Sequence, residues 1–253
     1  MNAQTSSVEK PLARKLVILG FVLALLCALA AVFSGIGYQM KLWHFRTGFL
    51  IIKYSFFTSI AAVVLSLLGL AISRKTRSVV VTGVIGALIG AITIYIPLSY
   101  YKMVESHPYI HDITTDTENP PQFVVVASLR GPEDHPVTYD GPEVAAKQKE
   151  AYPDLKTLVV NAPAKKVFEA ADQVIKDMGM EIDDASEPDL RIEATATSLL
   201  YGFKDDMVVR ITEADGTTRV DVRSKSRLGR SDLGQNARRI RDFLARLKMA
   251  LAA

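Results

Sequence analysis

The sequence predicts an α+β protein in two parts: a three-helix transmembrane unit, then an antiparallel sheet of five to six strands covered by two helices. Three observations predict it. Three charge-free apolar runs fill the N-terminal part of the chain. Further on, apolar and polar residues alternate on both sides of an Asp-Gly pair, as in a β-hairpin. The chain then ends in a segment whose apolar residues recur every three or four positions, as on one face of a helix.

The runs are Leu16–Met40, Tyr54–Ser73 and Ser78–Tyr101. At about 1.5 Å per residue each spans the ~30 Å hydrocarbon core of a bilayer. Residues 1–102 therefore form a membrane unit and residues 103–253 a polar domain. Charge divides at the same place: the first part holds ten Lys/Arg against the single acid Glu9, net +9, and the second twenty against twenty-six, net −6. The whole-chain pI near 8.9 averages opposite halves and does not point to nucleic acid. The first run stays apolar to Met40, too far for a cleaved signal peptide, so it is read as a retained span. Cys27, the only cysteine, lies inside it, leaving the polar domain without disulfides or cysteine metal ligands.

Orientation comes from the short loops. Lys10, Arg14 and Lys15 precede the first span, and Arg74, Lys75 and Arg77 crowd the loop between the second and third. The positive-inside bias puts both in the cytoplasm, so three spans carry the polar domain to the opposite side, which in a bacterium is the periplasmic face of the inner membrane. Tyr38, Trp43, Tyr95, Tyr100 and Tyr101 fall at the outer interface, and Lys53 borders it with a stem long enough to snorkel. Gly83, Gly86, Ala87, Gly90 and Ala91 put small residues on one side of the third span, suited to packing within the helix unit. No Asp, Glu, His or Arg lies mid-span, which argues against a transporter.

In the polar domain His107-Pro108 and Asn119-Pro120-Pro121 flank an extended stretch. Phe123–Ala127 reads as a short strand. Val144–Ala151 reads as a helix stopped by Pro153, and Leu155–Val160 as the next strand. A helix opened by Asn161-Ala-Pro163 runs to Met178 and closes at Gly179, with Val167, Phe168, Ala171, Val174 and Ile175 as its apolar stripe. Strands follow at Met180–Asp183, Leu190–Ala196, Asp206–Glu213 and Thr218–Ser224, the last two joined through Ala214-Asp-Gly-Thr217. The final helix spans about Ser231 to Ala250, its stripe being Leu233, Ala237, Ile240, Leu244, Leu247 and Leu251.

Three segments carry a family resemblance: His111–Phe123, Glu193–Thr197 with Gly202–Asp206, and above all Val220–Arg241. They resemble the family of domain of unknown function 1499 (DUF1499) over roughly residues 105–248, and membrane spans ahead of the domain are similar to its bacterial members. The resemblance implies a fold and a compartment. It implies no activity and no catalytic residues.

The densest chemistry follows the hairpin. Residues 103–222 carry eleven basic and twenty-four acidic side chains; residues 223–253 carry nine and two. Arg223, Lys225, Arg227 and Arg230, with Ser224, Ser226 and Ser231, precede a helix start, and guanidinium forks, hydroxyls and helix N–H groups together suit an oxyanion. The competing reading is an internal lattice in which Arg223 and Arg227 answer Glu193, Asp205 and Asp206, with Asp232 capping the helix. Arg238, Arg239, Arg241, Arg246 and Lys248 mostly face away from the helix stripe, as a solvated or interface face. Asp205-Asp206 are neighbours on a strand and point to opposite faces, so they make a poor acid/base pair. His107, His111 and His135 sit in Pro-broken loops without metal-site spacing, and no metal or cofactor is expected. The expected role is a non-enzymatic envelope module that meets the bilayer and binds an anionic small molecule, a lipid headgroup or another envelope protein. The alternative is a hydrolase using Asp205 or Asp206 with Arg223 and Arg227.

Overall fold

Inside hydrocarbon there is no water to satisfy backbone N–H and C=O groups, so an apolar run that crosses a bilayer closes its hydrogen bonds within a helix. The computed structural model, which describes residues 11–72, 76–214 and 216–252, folds the three runs into α1 (Pro11–Gln39), α2 (Phe45–Ile72) and α3 (Arg77–Ser106). All three are long and apolar enough to cross a membrane. Lys10, Arg74, Lys75 and the turn residue Asp215 lie outside the described residues. The helices exceed the apolar runs: α2 starts ahead of Tyr54, and α3 passes Pro97 to reach Ser106. A run measures only its uncharged centre, whereas the helix continues through interfacial residues such as Arg46 and Lys53.

Within this unit the helices meet at small residues. A Cβ on Gly86 of α3 would lie 2.9 Å from Phe21 Cα on α1 and 2.9 Å from Ser66 Oγ on α2, and one on Gly20 would lie 2.8 Å from the Ala62 carbonyl oxygen. Leu26, Phe57, Leu88 and Ile92 point outward with more than half their surface exposed, as a lipid-facing collar requires.

The chain divides into two compact units, residues 1–102 and 103–253. In the second, β1 (Asp112–Thr114), α4 (Val126–Leu129), α5 (Pro142–Ala151), β2 (Leu158–Val160), α6 (Ala164–Asp177), β3 (Glu181–Ser186), β4 (Arg191–Thr197), β5 (Lys204–Ala214), β6 (Thr217–Ser226) and α7 (Gln235–Ala252) follow in order. Six strands form one antiparallel sheet, ordered β1-β6-β5-β4-β3, with β2 also pairing β6. The β5–β6 hairpin pairs as far as Ala214 opposite Thr217, and Gly216 takes the positive φ that so tight a reversal needs.

Alternation sorts the sheet into two faces. Ile192, Ala194, Met207, Val209, Ile211, Val220 and Val222 face α6 and α7 and form the core with Val167, Phe168, Ala171, Val174, Ile175, Ala237, Ile240 and Leu247. Phe243 belongs to this core although the expected stripe omits it, since it shares a helix face with Ile240 and Leu247; α7 starts at Gln235 and leaves Leu233 outside at φ 53°.

Two expectations are corrected on the other face. Phe123–Ala127 is not a strand. The Glu193 carboxylate accepts the N–H groups of Val124, Val125 and Val126 at 2.7–3.0 Å, which turns the chain into α4 and leaves Phe123 and Val126 packed on Val208. Nor does the last strand stop at Ser224: β6 runs on to Ser226 because β1 pairs with it, Asp112 opposite Lys225 and Thr114 opposite Arg223. The segment between β1 and α5 lies over this second face as a cover.

Replacing Gly86 with Leu should drive α3 off Phe21 and Ser66. We expect a loss of about 1–3 kcal/mol in thermal unfolding of the full chain in detergent, with Gly86→Ala milder.

Candidate functional site

Strand β6 places consecutive residues on opposite faces, and this splits the basic cluster. Arg223 and Lys225 point to the covered face with no exposed surface, and Arg227 joins them nearly buried; Ser224 and Ser226 point toward α7; Arg230 is exposed. Ser231 donates to the Pro108 carbonyl at 3.2 Å. The structure therefore does not assemble the seven residues into one site.

A charged side chain out of water needs its counter-charge and its remaining hydrogen bonds supplied locally. Arg223 forks onto Asp112, Nε to Oδ1 and Nη2 to Oδ2 both at 2.8 Å, and donates to the carbonyls of Pro121 at 3.2 Å and Val137 at 2.8 Å. Its guanidinium lies between two rings, 4.9 Å from Phe123 and 5.4 Å from Tyr139. Lys225 Nζ meets Asp140 at 2.6 Å, the Thr138 carbonyl at 2.7 Å and Asp112 at 3.1 Å. Asp206, also without exposed surface, lies between two guanidinium groups: Arg227 Nη2 donates to Oδ1 and Arg130 Nε to Oδ2, each at 2.8 Å. Thr195 Oγ1 sits 2.9 Å from Asp206 and 2.7 Å from Asp183, completing a band of charge from β1 to β3.

Three partners differ from the expected lattice. Arg227 meets Asp206, but Arg223 meets Asp112 of β1, while Asp205 turns to the helix side and binds Arg239 at 2.8 Å. Glu193 approaches Arg191, 3.0 Å from Nε to Oε1, besides holding α4. The sequence reading does not make Asp112, Arg130 or Asp140 partners in the lattice. A charge at an inward strand position, such as Asp112, is the signal that points to them.

The helix-side serines join a separate network. Ser224 Oγ donates to Asn236 Oδ1 at 2.7 Å, and Asn236 Nδ2 donates to Ser226 Oγ and to the His111 carbonyl, each at 3.0 Å. Asp232 accepts the Gly234 N–H at 3.0 Å and the Asn236 N–H at 2.6 Å at the head of α7. Burial holds its carboxyl above the ordinary range, and those two N–H groups pull it back.

Beside Lys225, the rings of His111 and His135 stack with centroids 4.1 Å apart, and His135 Nε2 lies 2.8 Å from the Gly229 carbonyl oxygen. Burial lowers the His111 pKa from 6.5; the His135 and Lys225 charges add to this, and Asp140 and Asp112 oppose it. Burial and Asp112 push the Tyr139 phenol up to about 12.

On the far surface of α7 a groove of about 580 Å³ is lined by Met178, Gln235, Arg238, Arg239, Arg241, Asp242 and Ala245; Asp242 is itself engaged by Arg246. Arg239 and Arg241 already hold Asp205 and Asp154. Among the described residues Arg238 makes no ion pair, so its exposed guanidinium can take an anion from outside.

Chemically, the covered face locks its carboxylates rather than presenting them. Asp112→Ala leaves Arg223 and Lys225 buried with their shared carboxylate gone. A loss of about 3–5 kcal/mol is expected in denaturant unfolding of the full chain, against no resolvable change for Glu143→Ala on the surface. A depressed His111 pKa makes its contribution greatest above pH 6.5 and removes it as pH falls through and below that value. The melting temperature should therefore drop between pH 7.5 and pH 5.5, and His111→Gln should flatten part of that drop.

A family described as protein of unknown function (DUF1499) matches residues 112–247. No curated protein matches the chain. The matched stretch takes in every strand, the cover and most of α7, and it exceeds half of the sequence. The chain thus belongs to the DUF1499 family.

Proposed function

We propose that this chain is a multi-pass protein of the bacterial inner membrane, with its N-terminus in the cytoplasm, that displays its C-terminal domain in the periplasm as a non-enzymatic module for an anionic ligand or a partner protein. The charge bias of the short loops supports the orientation. A covered face whose cations and carboxylates answer one another supports a rigid module. The hydrolase reading is disfavoured by geometry: Asp206 is sealed between Arg227 and Arg130, and Asp205 lies on the opposite face against Arg239.

One observation carries the ligand class. Three arginines converge on the α7 groove, and of these Arg238 is exposed and makes no ion pair among the described residues. A phosphate or carboxylate placed there gains a guanidinium fork without breaking an internal bond.

The full chain in detergent should bind inorganic pyrophosphate in calorimetric titration. Arg238→Ala should weaken that binding by roughly tenfold or more at unchanged melting temperature; unaltered affinity in the variant refutes the groove. Orientation is read by cysteine labelling after Cys27→Ala. A membrane-impermeant maleimide should reach cysteine at Glu150 in spheroplasts, and cysteine at Thr76 only after lysis.

A further inference from the structure

The outer face of α7 is a stripe. Gln235, Arg238, Asp242 and Ala245 recur at steps of three and four, on the side of the helix away from the core residues Ala237, Ile240 and Leu247. The groove of about 580 Å³ runs along this stripe, and Met178 supplies its other wall. Met178 caps the C-terminal end of α6, and Gly179 after it takes a φ of 70° that turns the chain toward β3. Arg246, whose pKa is raised by its bond to Asp242, also feels the Asp177 carboxylate, so the end of α6 stands beside the second half of α7. The groove therefore has a polar end at Gln235 and Arg238 and an aliphatic end at Met178 and Ala245. From Arg238 to Ala245 is two helical turns, or ~10 Å along the axis.

Charge along the groove is largely answered from within the domain. Arg239 Nη2 holds Asp205 at 2.8 Å and its Nη1 holds Ser224 Oγ at 3.0 Å; Arg241 Nη2 holds Asp154 at 2.7 Å, and Arg246 holds Asp242 at 3.0 Å. Among the described residues Arg238 makes no ion pair, so the lining presents one uncompensated positive charge. One charge answers one oxyanion. A second anionic group farther along the groove would meet the Asp242–Arg246 pair, which is already neutral, and then Met178 and Ala245, whose side chains carry no donor. An aliphatic segment in the same place covers Met178 and Ala245 and displaces only water.

We propose that the α7 groove takes a monoanionic amphiphile: one oxyanion head on the Arg238 guanidinium, and an aliphatic body lying toward Ala245 and Met178. This rests on the anion reading of the groove given above and narrows it to a class of ligand. The guanidinium fork binds the head. The body provides the discrimination that a single exposed cation lacks, and the absence of donors at the aliphatic end selects against anions charged at both ends.

The test uses the full chain in phosphatidylcholine nanodiscs, with empty nanodiscs as the blank, and follows ligands by saturation-transfer difference NMR. Hexanoate should bind roughly tenfold tighter than acetate, because its further methylenes become covered. Adipate, with the same number of carbons but a carboxylate at each end, should fall back to the acetate level. Ala245→Asn on the helix surface, and separately Met178→Gln, should bring hexanoate down to that level with pyrophosphate affinity unchanged. Equal affinity for hexanoate and acetate, or for hexanoate and adipate, overturns the proposal, and so does a hexanoate signal that survives Arg238→Ala. Pyrophosphate separates the two readings. If its binding ignores Arg238→Ala, the anion site itself falls; if it needs Arg238 while carboxylate affinity ignores chain length, only the amphiphile falls. Competition with hexanoate by phosphatidylglycerol added to the nanodiscs marks a bilayer lipid as the source of the head, and binding unchanged by it marks a soluble acid; the ligand class holds in both cases.

Discussion

Two cations two residues apart on a central strand, neither touching water, impose a requirement on the whole C-terminal domain. Arg223 and Lys225 share Asp112, and that carboxylate comes from β1, the strand that joins β6 at the edge opposite β5. One acid cannot satisfy two cations, so the rest must come from above the sheet. Asp140 and the carbonyls of Pro121, Val137 and Thr138 supply it. The cover is therefore the other half of these ion pairs. Its irregular backbone follows, because a regular strand or helix would spend on itself the carbonyls that the guanidinium and ammonium need.

The same logic explains α4. Four residues make a poor helix alone, since nucleation is costly and the first turn leaves its N–H groups without partners. Glu193 takes the Val126 N–H and those of the two residues before it from beneath, and its charge is favoured at that helix start. Sheet and cover thus exchange charge in both directions: β4 sends a carboxylate up to α4, and the cover sends Arg130 down to Asp206. Buried ion pairs add little net stability compared with apolar packing, but each fixes one geometry and penalises every other. The helix-side core provides the burial; the charged side provides the uniqueness.

Much of the fold was legible because it is written in short periods. The β5–β6 alternation, the stripe of α6 and the Gly179 stop each lie within a few residues, and local chemistry decides them. What escaped was decided far along the chain. Phe123-Val-Val-Val is a β-branched run and reads as strand on any local rule, yet the carboxylate that bends it into α4 lies 69 residues on from Val124. Arg223, Lys225 and Arg227 left an anion site and an internal lattice both open, because a charge at a strand position normally marks the wet face, and here the cover makes that face dry. The Arg227–Asp206 pair was within reach of the sequence because both residues follow from the hairpin alternation. The Arg223–Asp112 pair was not, since it spans 111 residues and needs the β1–β6 pairing first.

These constraints also decide where new chemistry can enter. A ligand reaching the covered face would have to displace a carboxylate from a guanidinium already bonded on several sides, and would gain only the difference between two similar anions. Cations outside the lattice carry no such penalty. Arg238 on α7 and Arg230 after β6 are exposed, so an anion that meets them gives up only water. The division runs along the two faces of one strand. Residues that β6 turns inward to the cover are committed to holding the domain together, and what this protein offers to its surroundings lies beyond the lattice, on the outer surface of α7.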